Sequence, residues 1–384
     1  MCRVPGRPNS YYPGEIMSAT YRAAVIGLGR MGSTFDDERT TGGVIYLPYC
    51  HTPSYVTAPQ TVLVAGADPH EGQRSIYDER WRLDGHVYAD HREMLDKEKP
   101  DIVSVCTSSR VRAQIVEDIA RSGARAIWAE KPIARSLEEA DRMVAVCEEN
   151  NVTLAVNCSR RWNPHYASAR ELIDAGEIGE VTQVTAYYLC HLSHNGSHCI
   201  DTMRFLAADG NVDWVFGEME SDEAAFGEDD PQGNGYLVFD NGVRGFLRST
   251  PCGPVAVREF DVLGTEGRIR ILENAFQFEL WKMAPSGDGG EQVARVPFPY
   301  PKHIQGMGLS IVEDIVNAAE NGGKPRCSGA DSRDALEVAL ALRESHRRGF
   351  TRIDLPLEDR SLGIISVEVS GDDLPARVRR ELGG

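Results

Sequence analysis

The chain has 384 residues, 41% hydrophobic and 26% charged, which is the make-up of a globular protein long enough for two domains with sizeable cores. Its formal net charge of −17 argues against nucleic acid or an anionic membrane surface as the main partner, and no stretch is apolar and long enough for a transmembrane helix. The nine cysteines form no Cys-x-x-Cys pair, a pattern that fits reduced thiols in a cytoplasm. Residues 1–19 hold prolines and glycines but no apolar secretory core, and read as a flexible extension, with Met17 an alternative start.

Ala23-Ala24-Val25-Ile26 reads as a buried strand running into Gly27-Leu28-Gly29-Arg30-Met31-Gly32. In this Gly-x-Gly-x-x-Gly pattern Gly27 allows the tight turn, Gly29 lets a pyrophosphate approach the backbone, and Gly32 lets the following helix pack close. The expected helix offers N–H groups and a partial positive charge to phosphates, so the whole turn, Arg30 and Met31 included, is assigned to the cofactor. Residues 40–59 read as a long loop whose Tyr46, Cys50, His51 and Tyr55 either reach the ligand or simply pack. Thr61 to Ala67 is the next strand, ending at Asp68. A carboxylate there accepts from both ribose hydroxyls of the adenosine and repels a 2′-phosphate, favouring NAD over NADP; a helix-capping role is the other reading.

Asp101 to Cys106 is a strand ending at Thr107, Ser108 and Ser109, small hydroxyl residues suited to the nicotinamide ribose or the pyrophosphate. A helix from Val111 to Ser122, a strand from Ala124 to Ala129, a helix from Leu137 to Glu149 and a strand from Val152 to Val156 follow. The alternation predicts a doubly wound parallel sheet over residues 20–158. After a helix from Pro164 to Ala175 the pattern changes. Strand-like runs at Thr182–Leu189, Tyr236–Phe239, Val243–Leu247, Phe260–Leu263 and Arg268–Leu272 come without alternating helices. One helix, His198 to Ala207, interrupts them, and two more follow near Leu309–Ala319 and Ser332–Arg347. Residues 159–358 are therefore expected to form an α+β domain with an open, mostly antiparallel sheet, and residues 359–384 a peripheral tail.

The chain resembles the Gfo/Idh/MocA family of NAD(P)-dependent oxidoreductases. The resemblance rests on Gly27 to Gly32, Ala129-Glu130-Lys131-Pro132, Arg161-Trp162-Asn163-Pro164, Gly176-Glu177-Ile178-Gly179 and His198-Cys199-Ile200-Asp201. It implies a Rossmann domain followed by an α/β domain with an open sheet. It also implies that Glu130 and Lys131 lie at the cofactor, with Lys131 bonding the reacting oxygen and assisting proton transfer, and that Arg161 lies near the cofactor and active site; a salt-bridge role is the other reading of Arg161. His198 matches a general acid/base or a substrate hydrogen-bond partner. Chemically, an amine with a lowered pKa and an imidazole can both exchange protons near neutral pH.

Two departures stand out. The family commonly has Asp where this chain has His194, and a second histidine does not raise the pKa of a neighbouring base as a carboxylate would. Arg112 stands where histidine is common, which points to packing of the cofactor loop. His191, His194, His198, Cys190 and Cys199 could suit zinc but fit no standard spacing, so no metal is assigned.

The implied function is hydride transfer between nicotinamide and a hydroxyl or keto carbon of a cyclic polyol, sugar or sugar derivative, with Lys131, His198 and His194 as catalytic candidates. A non-catalytic NAD-binding sensor and an NAD-assisted lyase or glycosidase are the alternatives. The open sheet suggests a homodimer or homotetramer.

Overall fold

The computed structural model describes residues 20–249 and 257–365. The expected N-terminal extension, and the tail beyond Ile365, lie outside the described residues.

The first sheet has six parallel strands in the order β3-β2-β1-β4-β5-β6. They are β1 (Tyr21–Ile26), β2 (Thr61–Ala67), β3 (Val87–Tyr88), β4 (Ile102–Val105), β5 (Ala126–Ala129) and β6 (Thr153–Val156). β1 is central and almost wholly buried, with Val25 opposite Gly66 on one side and Ser104 on the other. A strand covered on both faces reads as a continuous apolar run, which is why β1, β4 and β5 were legible. The helices are α1 (His51–Thr57), α2 (Glu71–Trp81), α3 (His91–Glu98), α4 (Ser109–Ala120) and α5 (Leu137–Glu149). The reversal of strand order between β1 and β4 leaves a crevice at the carboxyl ends of the strands, where ligands of such sheets bind.

The segment after the glycine turn departs from expectation. Instead of a helix there is one π-helical turn, Arg30–Thr34, and a 3-10 turn, Phe35–Glu38. The supposed loop of residues 40–59 holds α1, which is packed against β2 and a late helix, Met307–Asn321.

After α6 (Pro164–Asp174) comes a nine-stranded sheet in the order β14-β13-β12-β11-β7-β10-β9-β8-β15. Its strands are β7 (Val181–Tyr188), β8 (Val212–Met219), β9 (Gly233–Phe239), β10 (Arg244–Arg248), β11 (Arg258–Gly264), β12 (Gly267–Leu272), β13 (Gln277–Pro285), β14 (Glu291–Val296) and β15 (Ile353–Asp354). All neighbours are antiparallel except β7 and β10. The remaining helices are α7 (Gly196–Leu206), α8 (Asp222–Phe226), α9 (Met307–Asn321) and α10 (Gly329–Arg347). α7 and α10 cover the inner face of the sheet, while α9 returns to β5 and β6 of the first sheet. The first residues of the expected tail are built into the body: Arg360 pairs with Asp141 of α5, and Ile364 is buried.

Candidate active site

The glycine turn has the backbone such a cradle needs. Gly27 sits at φ +88°, and a Cβ there would lie 2.8 Å from the Cys106 carbonyl carbon. A Cβ on Gly32 would meet the Gly27 carbonyl oxygen at 2.2 Å, so this glycine closes the turn on itself and is not a helix-packing contact. Gly29 meets nothing within 4 Å, leaving its backbone open to a ligand. Asp68 ties this turn to β2. It accepts the Leu28 N–H (3.0 Å) through one oxygen and the His70 N–H (2.9 Å) through the other. The short turns after Gly29 carry little helix dipole, so the cradle works through its open backbone.

A cavity of about 590 Å³ runs from this turn to the second domain. Its wall brings together Arg30, Met31, Thr107, Ser108, Ser109, Glu130, Lys131, His194 and His198, candidates from distant stretches of sequence. Ser108 also caps α4 through the Arg110 N–H. Arg30 is held by a two-pronged pair with Glu38, at 2.7 Å on each arm. These residues fit a dinucleotide: an open glycine turn, hydroxyls at the end of β4 and a buried carboxylate beside an amine.

Glu130 and Lys131 follow β5 directly, and the Lys131–Pro132 peptide is cis. Glu130 accepts from Asn157 Nδ2 (2.7 Å), His51 Nε2 (3.2 Å) and the Lys131 N–H (3.2 Å). Burial works to raise its pKa, but His51, Lys131 and Asn157 outweigh that and hold it at about 2. Because a carboxylate only accepts, His51 carries its proton on Nε2. Its Nδ1 lies 2.8 Å from the Ser104 hydroxyl and its ring stacks on Trp128 at 3.6 Å.

The Lys131 ammonium donates to the His194 backbone carbonyl at 3.1 Å. Burial lowers its pKa, helped by Arg112 and Arg160 and opposed by Glu130 and Cys158. His194 is lowered to about 4 by burial, Lys131 and His191. His198 is lowered by burial and then by Arg160, Lys131, His194 and Arg258, and its buried Nδ1 has no hydrogen-bond partner. Both imidazoles are therefore neutral at pH 7, their protonated forms disfavoured by burial and by the cations around them. The loop carrying His194 is held by Asp230, whose two oxygens accept the Ser193 and His194 N–H groups, each at 2.7 Å. Arg112 donates to the Pro132 and Thr107 carbonyls, joining the loop after β4 to the Glu-Lys-Pro turn.

Arg161 does not line the cavity. It is buried against Asp201 (2.9 Å) and Asp209 (2.7 Å), an ion-pair role within the second domain. Its neighbour Arg160 reaches the wall instead, with Tyr188, Asn195 and Arg258. Sequence reading missed these. The alternation along β7 is the signal that could have found Tyr188. Of the loop candidates, Cys50, His51 and Tyr55 are buried, and Tyr46 lies 3.3 Å from His165 Nδ1. His303 lines a separate small cavity with Trp162 and Arg326. Among the described residues, the histidines and cysteines of residues 190–199 do not converge on one point. The donor atoms that do, within 4.8 Å, are those of Cys158, Asp201 and Cys327, where Arg161 already neutralises the carboxylate.

Residues 21–158 match the oxidoreductase family with NAD-binding Rossmann fold, and residues 166–270 match the GFO/IDH/MocA C-terminal domain. The chain belongs to the Gfo/Idh/MocA oxidoreductase family. It is 27% identical to scyllo-inositol 2-dehydrogenase (NAD(+)) of Bacillus subtilis, over 87% of this chain and 96% of the relative. It is 22% identical to myo-inositol 2-dehydrogenase of Thermotoga maritima, over 84% and 96%. Among solved structures, an inositol dehydrogenase homolog from Azotobacter vinelandii, complexed with NADH and myo-inositol, superposes with TM-score 0.69 and 17% identity, over 88% of this chain and 98% of that one. As a Gfo/Idh/MocA oxidoreductase the chain is a dehydrogenase acting on CH–OH groups. No helix among the described residues is long and apolar enough to cross a membrane.

Proposed function

We propose that this oxidoreductase oxidises one secondary alcohol of a cyclic polyol or sugar, or reduces the matching ketone, with NAD as the preferred dinucleotide. The observation that carries the reading is the meeting of Lys131, His194 and His198 at one end of a cavity whose other end is the glycine turn. The bound nicotinamide supplies or accepts the hydride. Lys131 bonds the reacting oxygen and stabilises negative charge developing on it. His198, neutral and with an unpartnered nitrogen, takes up the hydroxyl proton directly or through Lys131. His194 supports the amine through its carbonyl and leaves its imidazole for a substrate hydroxyl.

Asp68 supports NAD: it stands at the end of β2 beside the turn, where a 2′-phosphate would meet its charge. A screen of inositols and sugars with NAD and with NADP, followed by nicotinamide absorbance, tests both parts. Reduction of NAD by at least one polyol is expected; reduction of NADP at equal efficiency contradicts the cofactor preference.

The same proposal includes self-association through the outer face of the second sheet. Trp214, Phe216, Tyr236 and Phe246 form one aromatic cluster there, and Phe216 and Phe246 are exposed. Beside it, Asp261, Arg268, Arg270 and Glu279 mix both charges, which suits a two-fold contact with a second copy. Light scattering is expected to report a dimer or tetramer; a monomer at high concentration contradicts this.

A further inference from the structure

Arg160 and Arg161 are neighbours and equally buried, yet their electrostatics differ. Arg161 has two carboxylates. Arg160 makes no ion pair with any described carboxylate; it donates to the Tyr188 hydroxyl, and its Nε has no partner. Across Tyr188 stands Arg258, its register partner on β11. It too lacks an ion pair among the described residues, and its Nε is unpartnered. The two guanidinium carbons lie 5.1 and 5.7 Å from the Tyr188 ring centroid.

Both arginines line the cavity at its His194–His198 end. Glu130, the one acidic residue on the wall among the described residues, is already taken by His51, Asn157 and the Lys131 N–H. At the cofactor end Arg30 has Glu38, and Arg112 is spent on carbonyls. The substrate end thus holds two guanidinium groups without counter-ions among the described residues, in a chain of net charge −17. Arg160 is buried and Arg258 half-buried with its Nε out of water, and charge withdrawn from water in this way is costly unless an anion meets it. A polyol's hydroxyls are neutral acceptors and leave it unmatched. A carboxylate is planar, offers two oxygens and suits the guanidinium fork.

We propose that the substrate is a sugar acid, an aldonate or uronate whose carboxylate is held by Arg160 and Arg258 beside Tyr188. This rests on the dehydrogenase reading above and narrows its substrate class. The reacting carbon then lies elsewhere on the same molecule, toward Lys131 and His198.

The test is calorimetric binding of aldonates and hexuronates to the NADH-loaded protein, each beside its neutral parent sugar, with sugar phosphates as a third arm. At least one acid is expected to bind about 10-fold or more tightly than its parent, with affinity falling as salt rises. Arg258→Gln is expected to erase most of that margin, weakening the acid by about 10-fold or more and the parent sugar by clearly less, with NADH affinity within about 3-fold. Arg258→Lys, which keeps the charge but not the fork, should fall between. Parents binding as tightly as every acid in the wild-type protein overturns the proposal, and so does a preference for phosphates or an equal loss for acid and parent in the variant. Turnover is read separately. Tight acid binding with no reduction of NAD by any sugar leaves the anion site standing and rejects the dehydrogenase reading. Turnover of neutral polyols with no preference for acids does the reverse.

Discussion

The Lys131 ammonium is held by the His194 backbone carbonyl, at 3.1 Å, and not by the His194 side chain. The same carbonyl accepts the Ser197 hydroxyl at 2.9 Å. A carbonyl can orient an amine without adding the full negative charge that would lock it in its protonated form. With burial lowering its pKa against the pull of Glu130, Lys131 is left readier to give up a proton than it would be with a second carboxylate at position 194.

His194→Asp tests that consequence. A carboxylate at this position favours the charged ammonium, so the pKa of Lys131 rises. For alcohol oxidation, which needs the unprotonated base, the rising limb of kcat/KM against pH is expected to move to higher pH by about one unit. An unchanged profile with full folding contradicts a direct coupling between the two positions.

Asp230 holds the loop that supplies this carbonyl. Asp230→Asn keeps the shape but turns an N–H donor toward one of the two backbone donors it now accepts. The cost is about 1–3 kcal/mol of stability, read by thermal or denaturant unfolding. Displacement of the His194 carbonyl is expected to lower kcat by about 10-fold or more, with NADH affinity nearly unchanged, because Asp230 lies in the second domain.

Asp68→Ala leaves the Leu28 N–H without its acceptor and removes the negative charge that the proposed NAD preference sets against a 2′-phosphate. The ratio of kcat/KM for NADP over NAD is expected to rise about 10-fold, mainly through weaker NAD binding. An unchanged ratio contradicts the assignment of Asp68 to the adenosine ribose.

Much of this arrangement was legible in the sequence because its signals are local. β1, β4 and β5 are continuous apolar runs, and each delivers its ligand-facing residues at its carboxyl end. Where the signal is tertiary the reading fell short. α1 was taken for loop because Pro53, Thr52 and Ser54 give it no apolar stripe. It is buried on several sides by α9 and β2, and its His51 faces Glu130, a residue 79 positions away. In the β13–β14 hairpin at the sheet edge, β14 is half-exposed or exposed along its length, so no buried face marked that strand. The choice between Arg160 and Arg161 could not be made from their order in the chain. It depends on which side of the short Ser159–Trp162 turn faces Asp201 and which faces Tyr188.

The most direct measurement compares NADH binding and polyol-dependent NAD reduction in wild-type protein and in Lys131→Ala. NADH affinity is expected to stay within about 3-fold of wild type, because the turn, Asp68 and Ser108 are untouched, while kcat falls by about 100-fold or more. Undiminished turnover of an established substrate by the folded variant contradicts the account.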